Sequence, residues 1–295
     1  MSCNRLIVTA TRLLTTLSWA GAAEAPRLFA LDGVVDSTDS SAVKVPTGVA
    51  AGSDTELAVI DAAGNRLVVF RFSGSEWSVQ QTVDLPGSPL GIAHDGSRYL
   101  ISMRDGKGLM AVEGERNQLR PVSLPGGAVA GDVAGVTGGG FLVLDTNGHQ
   151  VLRMNRSGKF ESEVPVEAGV VGLAAARGGG FFASIPVKGE IASHDATGKQ
   201  TARWAVPAVE PVPAWPVSLV QIGGDLVVLD RHGHRLTLFD SKNRLIGIGA
   251  RRGWEAGLLL FPSAVASFPD GRIAVADQRN GRVQIYQRIE DAPAP

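Results

Sequence analysis

The stretch GIGARRGWEAGLLLFPSAVASFPDGRIAVADQRNGRVQIY, residues 247–286, decides the architecture of this chain. It begins with a glycine-rich lead-in, places Pro262 before a short apolar segment, and continues through a tight turn into a strand pattern that ends at Asp277. Four turn residues follow, and a third strand pattern begins at Arg282. Short apolar runs separated by Gly and Asn turns predict an antiparallel sheet and no helix.

The same unit recurs six times along the chain. The predicted second strands cover residues 57–61, 99–103, 141–145, 181–185, 226–230 and 273–277. Each follows a first strand that starts at Pro46, Pro89, Ala130, Val170, Pro216 or Pro262. Subtracting neighbouring start positions gives spacings of 43, 41, 40, 46 and 46 residues. That period is typical of propeller blades and is longer than most helical repeats.

A fourth strand is predicted in five of the six repeats, at residues 77–85, 118–124, 159–166, 200–206 and 244–250. The sixth repeat ends without one, whereas residues 27–32 form a strand pattern outside any repeat. Pairing this segment with the last blade would close the ring and protect two sheet edges. The sequence therefore predicts an all-β, six-bladed propeller of four-stranded antiparallel blades at 26–290, followed by a disordered tail at 291–295.

These features resemble the NHL repeat. Residues 247–286 have its glycine-rich lead-in, its proline before the first strand, its Asp-Gly turn and the run ADQRNGRV. Repeats one and five match less fully, and repeats two and four hold Met103 and Ile185 where the sixth holds Asp277. The resemblance, to a bacterial NHL repeat-containing protein over roughly residues 27–288, implies a six-bladed propeller. It implies little about function, because one fold hosts many unrelated activities.

The N-terminus has the pattern of a secretory signal peptide. Arg5 and Arg12 precede a mostly apolar run, and small residues at 20–23 suit a cleavage site. The apolar run is too short to span a bilayer, so we expect residues 1–25 to be removed and the protein to be periplasmic or secreted. An N-terminal extension without a targeting role is the alternative, because the apolar run contains Thr and Ser.

One specific enzymatic interpretation can be tested on the sequence. The lyase that completes peptide C-terminal amidation is a six-bladed propeller of this kind, and its zinc-binding histidines follow the proline that opens the first strand. Here the corresponding residues are Thr47, Leu90, Gly131, Val171, Val217 and Ser263. None of these side chains supplies the imidazole that zinc requires at such a site. We therefore expect no metal and no cofactor.

Gluconolactonase-type propeller hydrolases instead hold a divalent cation in the channel with acidic and amide side chains. Such a cation needs several oxygen ligands, usually with carboxylates among them. Asp132 is the single acid in the predicted first strands, which makes it the channel candidate. One carboxylate is thin support for a metal site, and a solvated polar residue at the channel mouth is the commoner situation.

Histidines recur at one place in the hairpins between second and third strands. His149 and His234 occupy it in blades three and five, and His232 is close to the latter. Two imidazoles do not make a catalytic metal site. We therefore expect solvated turn histidines on a rim that is available for binding. The strand-end residues Asp61, Asp145, Asp230 and Asp277 recur as well, which indicates acceptors for turn N–H groups.

Arginines are concentrated at the same predicted rim. They lie in or beside these hairpins or in the lead-in to blade six, at Arg66, Arg104, Arg231, Arg235, Arg251, Arg252, Arg279 and Arg282. Arginine binds carboxylate and phosphate groups through paired hydrogen bonds, and Trp254 in the same lead-in offers a stacking surface. The competing interpretation, pairing with turn aspartates or simple solvation, is common at protein surfaces. The predicted binding residues are Arg66, Arg104, Arg251, Arg252, Arg279, Trp254, His149, His232 and His234.

Two functions follow from these residues. The first is a non-catalytic propeller that binds a protein, peptide or glycan outside the cytoplasm through its arginine-rich rim. The second is a hydrolase or lyase, lactonase-like or esterase-like, that uses an unrecognised channel site with Asp132 as its acid. A formal net charge of −1 and an aromatic content of 6% argue against nucleic acid as the partner. The repeats leave the oligomeric state open.

Overall fold

The described strands form six four-stranded antiparallel sheets. This is a computed structural model, and it describes residues 28–35, 43–104, 108–113 and 118–289. The signal segment predicted at 1–25 and the tail predicted at 291–295 lie outside these residues. The first strands of successive sheets contact one another in sequence, and the last contacts the first, so the sheets close into a ring. The predicted six-bladed propeller is confirmed.

The first three blades follow chain order from the channel outward. Their strands are β2 (Pro46–Ser53), β3 (Glu56–Asp61), β4 (Arg66–Phe72) and β5 (Trp77–Asp84); β6 (Pro89–His94), β7 (Tyr99–Met103), β8 (Leu109–Glu113) and β9 (Gln118–Val122); and β10 (Ala130–Gly135), β11 (Phe141–Asp145), β12 (Gln150–Met154) and β13 (Phe160–Pro165). Each hairpin joins neighbouring strands, which keeps all the connections within a blade short.

The remaining blades have the same order, with the N-terminal strand added to the last. Their strands are β14 (Gly172–Ala175), β15 (Phe181–Ile185), β16 (Glu190–His194) and β17 (Gln200–Ala205); β18 (Pro216–Ile222), β19 (Asp225–Asp230), β20 (Arg235–Phe239) and β21 (Leu245–Gly249); and β22 (Ala264–Ser267), β23 (Ile273–Asp277), β24 (Arg282–Arg288) and β1 (Phe29–Val35). Strands β14 and β22 begin two residues after the predicted starts, although Val171 and Ser263 already donate hydrogen bonds to their second strands.

Strand β1 closes the ring by pairing antiparallel with β24. Phe29 lies opposite Arg288 and Val35 opposite Val283, with a register shift before Gly33. The strand therefore runs from 29 to 35, beyond the predicted end at residue 32. It extends this far because Val35 is buried in the apolar cluster between blades six and one.

Apolar clusters between neighbouring blades hold the ring together. The cluster between blades six and one, for example, combines Val59 and Val68 with Ala274 and Val283. Equivalent clusters fill the other five gaps. Each sheet thus buries both faces against its neighbours, and the burial of this apolar surface is the main stabilising contribution.

The two rims of the ring differ in their loops. We call the rim where the first strands begin the upper rim, and it also carries the hairpins between second and third strands. In three of these hairpins the fourth turn residue has a positive φ, at Asn65 (46°), His149 (51°) and His234 (53°). Asn and His are among the non-glycine residues that tolerate this left-handed conformation best. The recurrence of histidine at this position therefore has a backbone explanation.

The seam between the first and last blades is fastened at the lower rim by Arg272. Its guanidinium donates hydrogen bonds to Asp270 (2.7 Å), to Asp32 on β1 (3.1 Å) and to the carbonyl of Asp54 in blade one (2.6 Å). It also lies 4.9 Å from the ring centre of Phe268. One side chain thus joins β1, blade six and blade one.

Candidate functional site

A cavity of about 490 Å³ occupies the upper half of the central channel. All six blades contribute to it through the beginnings of their first strands. The six residues that follow the first position of each predicted first strand all line this cavity, at Thr47, Leu90, Gly131, Val171, Val217 and Ser263. Their side chains hold no imidazole or carboxylate. Throughout the described ranges there is also no group of three or more His, Cys, Asp or Glu side chains arranged to hold a metal.

The strand-end aspartates act as structural acceptors, as predicted. In blade five, the buried Asp230 accepts backbone N–H groups from Trp215 (2.9 Å) and Gly233 (3.0 Å), so it ties the lead-in loop to the hairpin. In blade three, Asp145 accepts the N–H of Val129 at 2.9 Å. Although burial alone would raise the pKa of Asp145, these hydrogen bonds hold it below its ordinary value.

Three rim arginines pair with these aspartates. Arg66 donates to Asp61 at 3.0 and 3.1 Å, and Arg235 and Arg282 make the same contact with the aspartate five residues before them. Gln150 takes this place in blade three. Asp61 thus holds the guanidinium of Arg66, so the competing interpretation, pairing with a turn aspartate, describes this predicted binding residue.

Four other arginines collect around blades five and six without a carboxylate partner among the described residues. Arg251, Arg252 and Arg279 are exposed, and Arg231 is half-buried at the channel mouth. Arg231 donates to the carbonyls of Phe261 and Pro262 (3.2 Å each) and to Gln278 Oε1 (2.6 Å). Burial, together with the nearby charge of Arg279, lowers the pKa of Arg231 below its ordinary value.

The two histidines of blade five are packed into this basic region. His232 stacks on Trp215 with ring centres 5.0 Å apart. His234 is only 5% exposed, and its Nδ1 accepts the N–H of Phe261 at 2.8 Å. Burial and then the charge of Arg252 lower its pKa. The expectation of a solvated turn histidine is thus wrong for His234, because the lead-in of the next blade covers it.

Other predicted members of the site lie elsewhere on the upper rim. His149 is exposed in the hairpin of blade three, and Arg104 is exposed directly after β7 in blade two, where it lines the channel mouth. Of the predicted binding residues, the structure groups those of blades five and six, while Arg104 shares the channel mouth with Arg231. Trp215, which belongs to this cluster, was not predicted from the sequence because its contact with His232 depends on the pairing of β18 with β19.

Trp254 is held out to solvent by a fastened loop. We call residues 250–260 the Trp254 loop, and the Trp254 side chain within it is 73% exposed. Asn280 Nδ2 donates to the carbonyl of Gly253 (3.0 Å), and the buried Gln284 donates to that of Leu258 (2.7 Å) while accepting the N–H of Gly257 (2.7 Å). These hydrogen bonds from blade six make the loop a preorganised surface.

Asp132 lies inside the channel cavity. One carboxylate oxygen, Oδ2, accepts the N–H of Leu173 in the neighbouring blade at 2.8 Å. It makes no ion pair with a described residue, and burial, only partly offset by backbone hydrogen bonds from Leu173 and Val133, raises its pKa to about 6. A carboxyl group in this state can carry or release a proton near neutral pH.

The sequence profile of the NHL repeat matches residues 259–286, which run from the end of the Trp254 loop through β22, β23 and β24. The chain is a six-bladed propeller with an NHL repeat. In the described residues of this propeller, no helix has the length and apolarity needed to cross a membrane. No match to a curated protein was found.

Several solved propellers are similar in structure. A virginiamycin B lyase from Staphylococcus aureus has a TM-score of 0.64 and 14% identity, covering 88% of this chain and 100% of its own. A streptogramin B lyase has a TM-score of 0.63 and 13% identity, and the match covers 88% of this chain and 98% of the lyase. The WD40 propeller domain of Doa1 has a TM-score of 0.61 and 12% identity, and the match covers 90% of this chain and 99% of that domain. At such identities the similarity concerns the fold alone.

Proposed function

We propose that this protein is an exported, non-catalytic binding propeller that recognises an acidic segment of a protein, peptide or glycan. The binding surface is the blade five and blade six side of the upper rim. One observation carries the proposal: Arg251, Arg252 and Arg279, which lie in the Trp254 loop or in the hairpin bonded to it, are exposed and have no carboxylate partner among the described residues. An acidic ligand would supply the missing charge.

The contrast with the rest of the rim supports this assignment. Arg66, Arg235 and Arg282 are neutralised by buried aspartates, so their charges are already used in folding. The unpaired arginines keep their planar donor groups available for carboxylate, phosphate or sulfate oxygens. Charge-assisted hydrogen bonds of this kind are each worth about 1.5–3 kcal/mol when water is excluded from them.

The Trp254 loop adds an apolar contact to this basic surface. Exposed tryptophan is costly to leave in water and is enriched among the residues that dominate binding energies. Because blade six already fixes the loop backbone, docking would order few additional residues, which lowers the entropic cost of binding.

Export is supported by the N-terminal pattern of Arg5, Arg12, an apolar run and small residues. Secretion of the full chain from cells, followed by N-terminal sequencing, tests it. The expected mature terminus lies near residues 22–25.

A hydrolase or lyase reaction in the channel is the second candidate. It is favoured by Asp132, because a carboxyl group with a pKa of about 6 suits general acid or base catalysis. It is disfavoured by the surroundings, since no histidine among the described residues lines the cavity. Turnover of lactone or ester substrates that disappears in Asp132→Asn would establish it.

The binding proposal is tested with arrays of acidic peptides and of sulfated or uronate glycans, followed by titration of the best probe. Arg251→Ala combined with Trp254→Ala should weaken binding at least about tenfold. The matched control is Arg120→Ala, which removes an arginine that is also exposed but lies on the outer edge of blade two. Binding by the double variant equal to wild type, or an absence of any acidic probe that binds, would refute the proposal.

A further inference from the structure

The channel cavity is lined by three charged side chains, the carboxylate of Asp132 and the guanidinium groups of Arg104 and Arg231. Arg104 lies at its mouth on blade two; the other two groups are Asp132, which faces the cavity from blade three, and Arg231, which faces it from the junction of blades five and six. No ion pair joins either group to another described side chain. Both groups are fixed by hydrogen bonds to the backbone of neighbouring blades, so their positions are set by the ring.

The hydrogen bond that Asp132 accepts from the neighbouring blade does not by itself require a carboxylate. In blade five the equivalent residue is Ser218, whose Oγ accepts the N–H of Val265 at 3.1 Å, as Asp132 Oδ2 accepts that of Leu173. A neutral hydroxyl is therefore sufficient for the hydrogen bond between blades. The second oxygen of Asp132 and its capacity for charge go beyond this requirement.

Arg231 has donors to spare. A guanidinium has five N–H groups, and three hydrogen bonds are made, to Phe261, Pro262 and Gln278. These bonds hold the plane of the group against the channel mouth. The remaining donors need an acceptor, and a carboxylate is the acceptor whose geometry matches them best.

The rest of the cavity wall is mixed. Leu90, Val171 and Val217 provide apolar surface, and Thr47, Thr146 and Ser263 provide hydroxyl groups. A volume of about 490 Å³ lies in the range of small-molecule sites. Such a cavity accommodates a short aliphatic chain with a polar group at each end.

We propose that the channel is a second binding site, which takes an amino-carboxylate with its ammonium group on Asp132 and its carboxylate on Arg231. Because blade four separates the two residues around the ring, the ligand needs an aliphatic spacer between its charges. The same chemistry exists in a free ω-amino acid and in the C-terminal lysine of a peptide. This site uses none of Arg251, Arg252, Arg279 and Trp254, the residues of the proposed rim surface.

The probes are ω-amino acids from 4-aminobutanoate to 6-aminohexanoate, titrated calorimetrically into the full chain. Pentylamine and pentanoate are the matched single-charge controls. At least one amino-carboxylate should bind one-to-one, about tenfold or more tighter than either control, because two charge-assisted contacts replace one. Equal binding of the amino-carboxylates and pentanoate, or no binding of any amino-carboxylate, would overturn the proposal.

Single substitutions test which charged group of the ligand Asp132 and Arg231 each bind. Asp132→Ser keeps the hydrogen bond between blades, as Ser218 shows, and should remove the advantage of the amino-carboxylates over pentanoate. Arg231→Gln should remove their advantage over pentylamine. Arg251→Ala should change neither, whereas it weakens acidic partners at the rim, so the two proposals can fail separately. Unchanged selectivity in Asp132→Ser overturns the assignment.

The last comparison distinguishes the two sources of the ligand. Nα-acetyl-lysine has the ε-ammonium and free carboxylate of a C-terminal lysine, and its amide lacks the carboxylate. Binding of the acid but not the amide, together with that of Gly-Gly-Lys, indicates a peptide terminus. Binding of 6-aminohexanoate alone indicates a free ω-amino acid. Both results uphold the amino-carboxylate site.

Discussion

Replacing Asp132 by serine should make the protein more stable at neutral and alkaline pH. Burial raises the pKa of Asp132 from its ordinary 3.8 to about 6 in the folded chain. The folded state therefore binds the proton more tightly than the unfolded state does. By linkage, this contribution to stability is present below pH 3.8 and is lost as the pH rises through 6.

The size of the effect follows from the difference between the two pKa values. Each pH unit is worth about 1.4 kcal/mol, so keeping the carboxylate charged in the channel costs about 3 kcal/mol above pH 6. Serine removes this cost and still accepts the N–H of Leu173, as Ser218 does for Val265 in blade five.

Urea unfolding of the wild type and of Asp132→Ser at pH 4 and pH 8 measures the difference. The two proteins should be nearly equal at pH 4, and the variant should be about 3 kcal/mol more stable at pH 8. Ser218→Ala is the control, because it removes a hydrogen bond between blades without removing a charge and should cost about 1 kcal/mol at both pH values. An Asp132→Ser effect that does not change with pH would refute the reasoning.

Three further predictions concern the scaffold. In urea unfolding, Asp230→Asn should cost about 3–5 kcal/mol because it leaves the buried Arg235 without its carboxylate, whereas Asp145→Asn, which faces the neutral Gln150, should cost about 1–3 kcal/mol. Equal costs would show that the charge of Asp230 adds nothing to its hydrogen bonds. Arg272→Ala should speed amide hydrogen exchange in β1, because it removes the hydrogen bond from blade six to Asp32. Arg244→Ala, which loses one exposed ion pair, should leave exchange in β1 unchanged. Identical exchange in the two variants would contradict the role of Arg272 in joining β1 to blades six and one. Burial lowers the pKa of His234 in the folded chain, so the free energy of unfolding should fall as the pH drops below 6.5. His234→Asn should reduce this loss of stability between pH 7.5 and 5. An unchanged loss would contradict the burial of His234 against the lead-in of blade six.

The repeats made the fold predictable because the strands and turns of each blade can be recognised from the residues of that blade alone. Six registered sets of first, second and third strands gave the blade count, and five fourth strands with a spare N-terminal strand gave the closure. The boundaries were less predictable. Strand β1 runs to Val35 because a side chain there fills the gap between the first and last blades, and that contact joins residues far apart in the chain.

The site was only partly predictable, for a physical reason that differs between residues. Arg66 could have been recognised as paired, since Arg66, Arg235 and Arg282 each stand five residues after a strand-end aspartate. His234 could not, because its burial depends on Phe261 in the lead-in of the next blade. The surroundings of Asp132 likewise come from other blades, which only the closed ring places beside it.

The pairing of β1 with β24, which closes the ring, has a practical consequence for handling the protein. Leu28 and Ile289 lie at the two ends of the described propeller and are joined by a backbone hydrogen bond of 2.9 Å at the lower rim. A tag or linker at either end therefore leaves the propeller on the side away from the channel mouth. Tethering the protein to a sensor chip through its termini should present the upper rim to the solution, in one orientation and without covering either proposed site.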